Sequence, residues 1–183
     1  ESVTQFTQCG VTLDKHRADA LVIIGGDDSN TNAALLANYF KKEKSPIQVI
    51  GIPKTIDGDL KNKYIEISFG FDTAVRLYSD IISNLGRDVL SSKKHYHFVR
   101  LMGRSASHIT LEAAFQTTPN IALIGEEIAE NGTTLKEIVE EISNVIITRA
   151  ELGKNYGIIL IPEGVVEFIP EMKVMIEEIN QII

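Results

Sequence analysis

A chain of 183 residues that is 44% hydrophobic and carries a formal net charge of −7 has apolar material for a core and fits one domain by length. That balance excludes a disordered or fibrous chain and argues against nonspecific nucleic-acid binding. No apolar run approaches the ~18 residues that span a bilayer, and the single cysteine, Cys9, excludes an internal disulfide framework, so a cytoplasmic protein without nucleic-acid or membrane partners is expected.

Short apolar runs recur at 20–24, 48–52, 96–102, 120–124 and 157–161, with helical patterns between them. The first, Leu21-Val22-Ile23-Ile24, reads as a buried strand and leads into Gly25-Gly26-Asp27-Asp28-Ser29. A helix over 32–42 then places Ala33, Leu36, Ala37 and Phe40 on one face. The second run, Val49-Ile50-Gly51-Ile52, is another buried strand and leads into Pro53-Lys54-Thr55-Ile56-Asp57-Gly58-Asp59-Leu60. The stretch 69–92 is long for one helix, and Gly86 either interrupts it or ends it. The third run closes on Leu101-Met102-Gly103-Arg104, after which a helix begins near His108. Thr133-Thr134 followed by Glu137 has the form of an N-cap with a capping-box partner, and the helix over 135–152 lines up Leu135, Ile138, Val139, Ile142, Ile146 and Ala150. The last run ends at Ile161-Pro162-Glu163-Gly164.

This β-α rhythm predicts an α/β fold, a Rossmann-like parallel sheet flanked by helices, over 1–183 as a single core. The first residues read as part of a helix and the last lie within an apolar-periodic segment, so both ends are expected to be cut from something longer.

Four polar loops each follow an apolar strand, and in one parallel sheet all four would open on one edge, where such sheets bind ligands. In the first, Gly25 and Gly26 let the backbone approach an anion at a helix N-terminus. Asp27 and Asp28 would repel a bare phosphate, so one of them is expected to act through Mg²⁺; alternatively, Asp28 or Ser29 caps the helix. In the second, Asp57 and Asp59 are two residues apart, and either carboxylate is a candidate to take a proton from an attacking alcohol. Lys54 would offset charge on a phosphoryl group in transfer, and the alternative is a Gly-Asp turn with a solvated lysine. Arg104 is a candidate phosphate ligand or a plain surface residue, Glu163 a candidate acceptor from sugar hydroxyls or a loop acid without a role. His108, a lone histidine inside a helix, is left outside the site. Residues 54–104 carry nine Lys or Arg against six Asp or Glu, a basic patch suited to an anionic substrate.

Together these loops resemble the phosphofructokinase family in its long, pyrophosphate-dependent branch. The resemblance runs through Gly25-Gly26-Asp27, Thr55-Ile56-Asp57, Met102-Gly103-Arg104 and Glu163, in that order. It implies that Asp57 deprotonates the 1-hydroxyl of fructose 6-phosphate and that Thr55, Ile56, Met102, Gly103, Arg104 and Glu163 hold the sugar phosphate. It further implies that Asp27 holds Mg²⁺ and that Asp59 is a further acid of the catalytic loop. Lys94 and His95 match a pair that reaches the sugar phosphate of a neighbouring subunit, which implies at least a homodimer. Gly26, Asp28 and Lys54 match the donor site: ATP-dependent relatives usually carry glycine at the last two positions, so Asp28 and Lys54 imply pyrophosphate as donor and a reversible reaction. The same resemblance places a first strand and a glycine-rich phosphate loop before residue 1, and further sugar-phosphate elements after residue 183. An ATP-dependent phosphofructokinase and a noncatalytic sugar-phosphate sensor of the same fold are the alternatives, and retention of the Asp57 and Asp59 pair counts against the sensor.

Overall fold

A computed structural model describes residues 3–58, 60 and 63–182. In chain order its elements are α1 (Val3–Lys15), β1 (Ala20–Gly25), α2 (Asp27–Lys42), β2 (Gln48–Pro53), α3 (Phe71–Ser92), β3 (Tyr96–Leu101) and α4 (His108–Thr117). There follow β4 (Ile121–Ala122), α5 (Gly125–Asn131), α6 (Leu135–Glu151), β5 (Gly157–Pro162), α7 (Val165–Phe168) and α8 (Pro170–Ile182). They form two compact units, Glu1–Thr55 and Ile56–Ile183. All described strand pairs are parallel, as the β-α rhythm predicts, but they divide into two sheets, one per unit.

In the first unit β1 and β2 run side by side, with Leu21 opposite Val49 and Ile24 opposite Ile52. Buried Leu36 and Phe40 of α2 pack with Ile47 against Leu21, Ile23 and Val49, joined by Phe6 and Leu13 of α1. Only that face is covered. On the other face of this piece of chain Val22, Ile24, Ile50 and Ile52 are 50%, 67%, 47% and 45% exposed. A parallel strand is buried on both faces only where helices cover both. Helix α2 begins at Asp27, five residues before the apolar spacing becomes visible. Extended Gly26 provides its N-cap, and Asp27 and Asp28 in the first turn suit the positive end of the helix dipole.

In the second unit the strand order is β3-β5-β4. Central β5 is flanked on both sides, and successive side chains enter opposite cores. Ile158 and Leu160 pack with Val75, Ile82 and Val89 of α3 and Ile109 and Ala113 of α4. Ile159 packs with Ile121, Leu123, Ile128 and Ile138. Helix α3 runs unbroken through Gly86, which sits on the buried stripe where an added Cβ would lie 3.6 Å from Ile158 Cδ1. That stripe outweighs the ~1 kcal/mol a mid-helix glycine costs. The capping box at the start of α6 is formed: the Glu137 N–H donates to Thr134 Oγ1 at 3.2 Å and the Thr134 N–H donates to Glu137 Oε2 at 2.8 Å. Among the described residues no helix is long and apolar enough to cross a membrane.

Candidate active site

The strand-end loops of the first unit meet through the main chain. Gly25 lies opposite Pro53 at the carboxyl ends of β1 and β2, and the Lys54 N–H donates to the Gly25 carbonyl at 2.7 Å. An added Cβ at Gly25 would overlap the Ser29 side chain, so this glycine lets the first turn of α2 close on the strand end. Gly26 is less constrained, with nothing closer to an added Cβ than Lys54 O at 3.8 Å. The pair is held by Asn30, whose amide donates to the carbonyls of Gly25 at 2.8 Å and Gly26 at 2.9 Å. Its Oδ1 would stand 2.5 Å from an added Cβ at Gly51, which ties that glycine to the same lock. No sequence signal singles out Asn30, which lies ahead of the helix the apolar spacing predicts.

Because Gly26 caps α2 without a side-chain bond, neither Asp28 nor Ser29 is the cap. Asp27 and Asp28 are exposed first-turn residues, and Lys54 is exposed on the neighbouring strand end. Two carboxylates at the positive end of a helix oppose a bare anion, so a bound phosphate needs the Lys54 ammonium, a divalent cation or both. No group of three or more metal-ligating side chains occurs among the described residues. The donor set instead suits Mg²⁺, which is held by one or two carboxylates and completed by water and phosphate oxygens. Thr55 is half-buried at the end of this unit.

In the second unit, Gly58 is buried in the left-handed region at φ 79°. An added Cβ there would lie 3.1 Å from the Phe71 ring and 3.4 Å from His108 Cβ, so the loop carrying Asp57 is seated against the starts of α3 and α4. Ile56 and Asp57 are half-buried, and Asp59 lies outside the described residues. The exit of β3 is tied to that of β5: Glu163 N–H donates to Leu101 O at 2.7 Å, and Gly164 N–H donates to Gly103 O at 2.9 Å. Gly103 turns at φ 130°. Met102 and Arg104 are exposed and Glu163 is half-buried, with Arg104 on a cavity of about 730 Å³ shared with Glu167 and Lys173. This edge therefore gathers 57–58, 102–108 and 163–164. Of the four loops expected on one sheet edge, the one after β1 belongs to the first unit and those after β3 and β5 to the second, while the loop after β2 leaves the first unit at Thr55 and enters the second at Ile56.

Lys94 and His95 are exposed ahead of β3, at the opposite edge of the same sheet. A six-residue strand separates them from Met102 by about 20 Å. They do not join the 102–104 loop of their own chain.

Two residues of this edge escaped the sequence reading. The Ser107 N–H donates to Glu126 Oε1 at 2.9 Å, and the Gly125 N–H donates to Ser107 Oγ at 2.9 Å. Ser107 is the N-cap of α4, but its hydroxyl is turned to α5 rather than capping its own helix. Burial pushes the Glu126 carboxyl up. Hydrogen bonds from the Ser107 and Glu126 main chain and the Ser107 hydroxyl, with His108 nearby, outweigh it and leave the carboxyl below its ordinary value. The pair is 19 residues apart, so spacing along the chain carries no hint of it.

Close approach at Gly164 makes one test direct. An added Cβ would overlap the Arg104 carbonyl. Gly164→Ala is therefore expected to lower stability by about 1–3 kcal/mol in denaturant unfolding, the usual cost of overpacking. Wild-type stability in this variant would show that the 102–104 and 163–164 loops do not touch.

Residues 2–183 match the Phosphofructokinase family. The chain is 55% identical over 182 residues to the pyrophosphate–fructose 6-phosphate 1-phosphotransferase of Treponema pallidum, covering 100% of this chain and 32% of that protein. It is 56% identical over 183 residues to the beta 2 subunit of the enzyme of that name in Arabidopsis thaliana, again over 100% of this chain and 32% of the relative. The chain thus spans about a third of the length of these curated relatives. Among solved structures, a pyrophosphate-dependent phosphofructokinase from Marinobacter aquaeolei shares the fold with a TM-score of 0.68 at 18% identity, over 94% of this chain and 44% of that one. The phosphofructokinase of Saccharomyces cerevisiae does so with a TM-score of 0.66 at 22% identity, over 83% of this chain and 21% of that one.

Proposed function

Because this chain belongs to the phosphofructokinase family, we propose that it carries donor and sugar residues of an enzyme that moves a phosphoryl group from pyrophosphate to fructose 6-phosphate. Asp57 takes the proton from the 1-hydroxyl as that oxygen attacks a phosphorus of pyrophosphate. The bond from that phosphorus to the bridging oxygen breaks, releasing phosphate and fructose 1,6-bisphosphate. Pyrophosphate as donor is close in energy to its products, so the reaction is expected to run in either direction.

The two units divide the roles. In the first, Lys54 offsets charge on the transferred group and Gly26 and Asp28 bound the donor, Asp28 disfavouring a longer nucleotide by charge and bulk. Mg²⁺, when bound, neutralises pyrophosphate oxygens, and Asp27 would hold it. In the second, Arg104 grips phosphate, Glu163 accepts hydrogen bonds from sugar hydroxyls, and Met102 and Gly103 shape the sugar contact. Thr55, the last residue of the first unit, and Ile56, the first of the second, lead into the base. Lys94 and His95, at the opposite sheet edge, serve the sugar phosphate of a second copy, so the working form is at least a dimer.

The observation that carries this reading is the 2.7 Å main-chain bond from Lys54 to Gly25, which sets the lysine beside the Asp27 and Asp28 turn. The names borne by the similar proteins from Treponema and Arabidopsis support the choice of donor. A coupled assay of the full-length protein with fructose 6-phosphate and Mg²⁺ tests it. Turnover with pyrophosphate and without nucleotide is expected, and turnover with ATP alone would overturn the donor assignment.

A further inference from the structure

The 102–107 loop is held at both ends, but by different partners. At its start, Leu101 and Gly103 accept main-chain hydrogen bonds from Glu163 and Gly164. Inside it, Gly103 bends so tightly that an added Cβ would lie 2.7 Å from the Ala106 carbonyl, leaving the loop little slack. At its end, Ser107, 3% exposed, exchanges two 2.9 Å bonds with the first turn of α5. The main-chain N–H of Ser107 meets a carboxylate, a charge-assisted bond of the stronger class. Its hydroxyl meets the Gly125 N–H, one of the amides a helix start leaves without an internal partner.

We propose that Ser107 and Glu126 act as positioning residues, a clasp that holds the 102–104 loop at the geometry needed to bind the sugar phosphate beside Glu163. The assignment of that loop to the sugar phosphate rests on the function proposed above. The clasp accounts for two features otherwise unconnected. The N-cap hydroxyl of α4 is diverted from its own helix, and an acid stands early in the short helix α5 with no basic side chain as its hydrogen-bond partner among those described. Without the Glu126 carboxylate, Ser107 N–H loses its acceptor, and of the two anchors at this end only the Gly125 N–H bond to Ser107 Oγ remains. Gly103 and Leu101 still hold the other end, so the loop loosens and the fold is retained.

Steady-state kinetics of the full-length protein, with each substrate varied in turn, separate this role from a structural one. Glu126→Ala is expected to raise KM for fructose 6-phosphate about tenfold, the weight of one charge-assisted hydrogen bond, with KM for pyrophosphate unchanged. Glu126→Gln keeps an acceptor for the Ser107 N–H and is expected to recover most of that loss. Equal loss for both substrates, or no recovery in the glutamine variant, would overturn the clasp. So would an unchanged KM for the sugar phosphate.

Amide hydrogen exchange over 102–107 reads the same clasp without turnover. Faster exchange in Glu126→Ala than in wild type is expected there and not over 25–30, and equal exchange would overturn it. Wild-type protein that fails to turn over with pyrophosphate removes the proposed function, while the exchange measurement still decides whether the clasp holds the loop.

Discussion

With Asp57 as the proposed base, replacing it with Asn is expected to lower kcat by about a thousandfold, within the range that general-base catalysis supplies, and to change KM for fructose 6-phosphate little. Asn keeps the size and shape of the side chain, so the loop seated through Gly58 against Phe71 and His108 is undisturbed. On the proposed mechanism the variant is expected to bind substrate but to lack a group that takes the proton of the 1-hydroxyl. Unchanged melting temperature with collapsed turnover is the expected pair of results, read by calorimetry and the coupled assay. A kcat within a few fold of wild type would show that another group is the base.

The second large effect concerns the donor. Replacing both Asp28 and Lys54 with Gly is expected to lower kcat/KM for pyrophosphate by about 10²–10³, the loss typical of one preorganised electrostatic contact to the reacting group. Turnover with ATP is expected to rise relative to it, because the carboxylate proposed to crowd and repel a longer donor is gone. The variant is well suited to the test because the bond from residue 54 to Gly25 runs through the main chain and survives loss of the lysine side chain. Asp28 is an exposed first-turn residue whose favourable contact with the helix dipole is worth only about 0.3–1 kcal/mol. Neither change should unfold the protein. An unaltered ratio of pyrophosphate to ATP use would remove these residues from donor selection.

Much of the secondary structure was legible because hydrophobic runs and helical spacing are local signals. Strands β1, β2, β3 and β5 lie where the apolar runs do, and Thr134 with Glu137 opens α6 as a capping box. The start of α2 was not legible, since Asp27 and Asp28 look like loop residues until a helix dipole gives them a partner. Gly86 was ambiguous for a related reason. A glycine weakens a helix locally, and only the packing of Val75, Ile82 and Val89 on β5 shows that α3 continues through it.

Strand burial shows the same division. The run at 20–24 is at least as apolar as the run at 157–161, but it leaves Val22 and Ile24 exposed whereas Ile159 and Leu160 are fully buried. Composition states that a strand can be buried, and the number of helical layers around it decides whether it is. His108 is the converse. It reads as an incidental helical residue, but it packs on Gly58 because α4 starts where the Asp57 loop passes.

By itself the sequence determined the α/β class, the positions of the strand-end loops and the residue types that suit phosphoryl transfer, because each is written in short stretches of neighbouring residues. Tertiary structure alone decided that these loops divide between two sheets, that Asn30 locks the Gly25-Gly26 turn, and that Lys94 and His95 stand a strand's length from Met102. It alone joined Ser107 to Glu126. Strand pairing and hydrogen bonds between distant residues depend on which surfaces the folded chain brings into contact, and no local pattern encodes that choice.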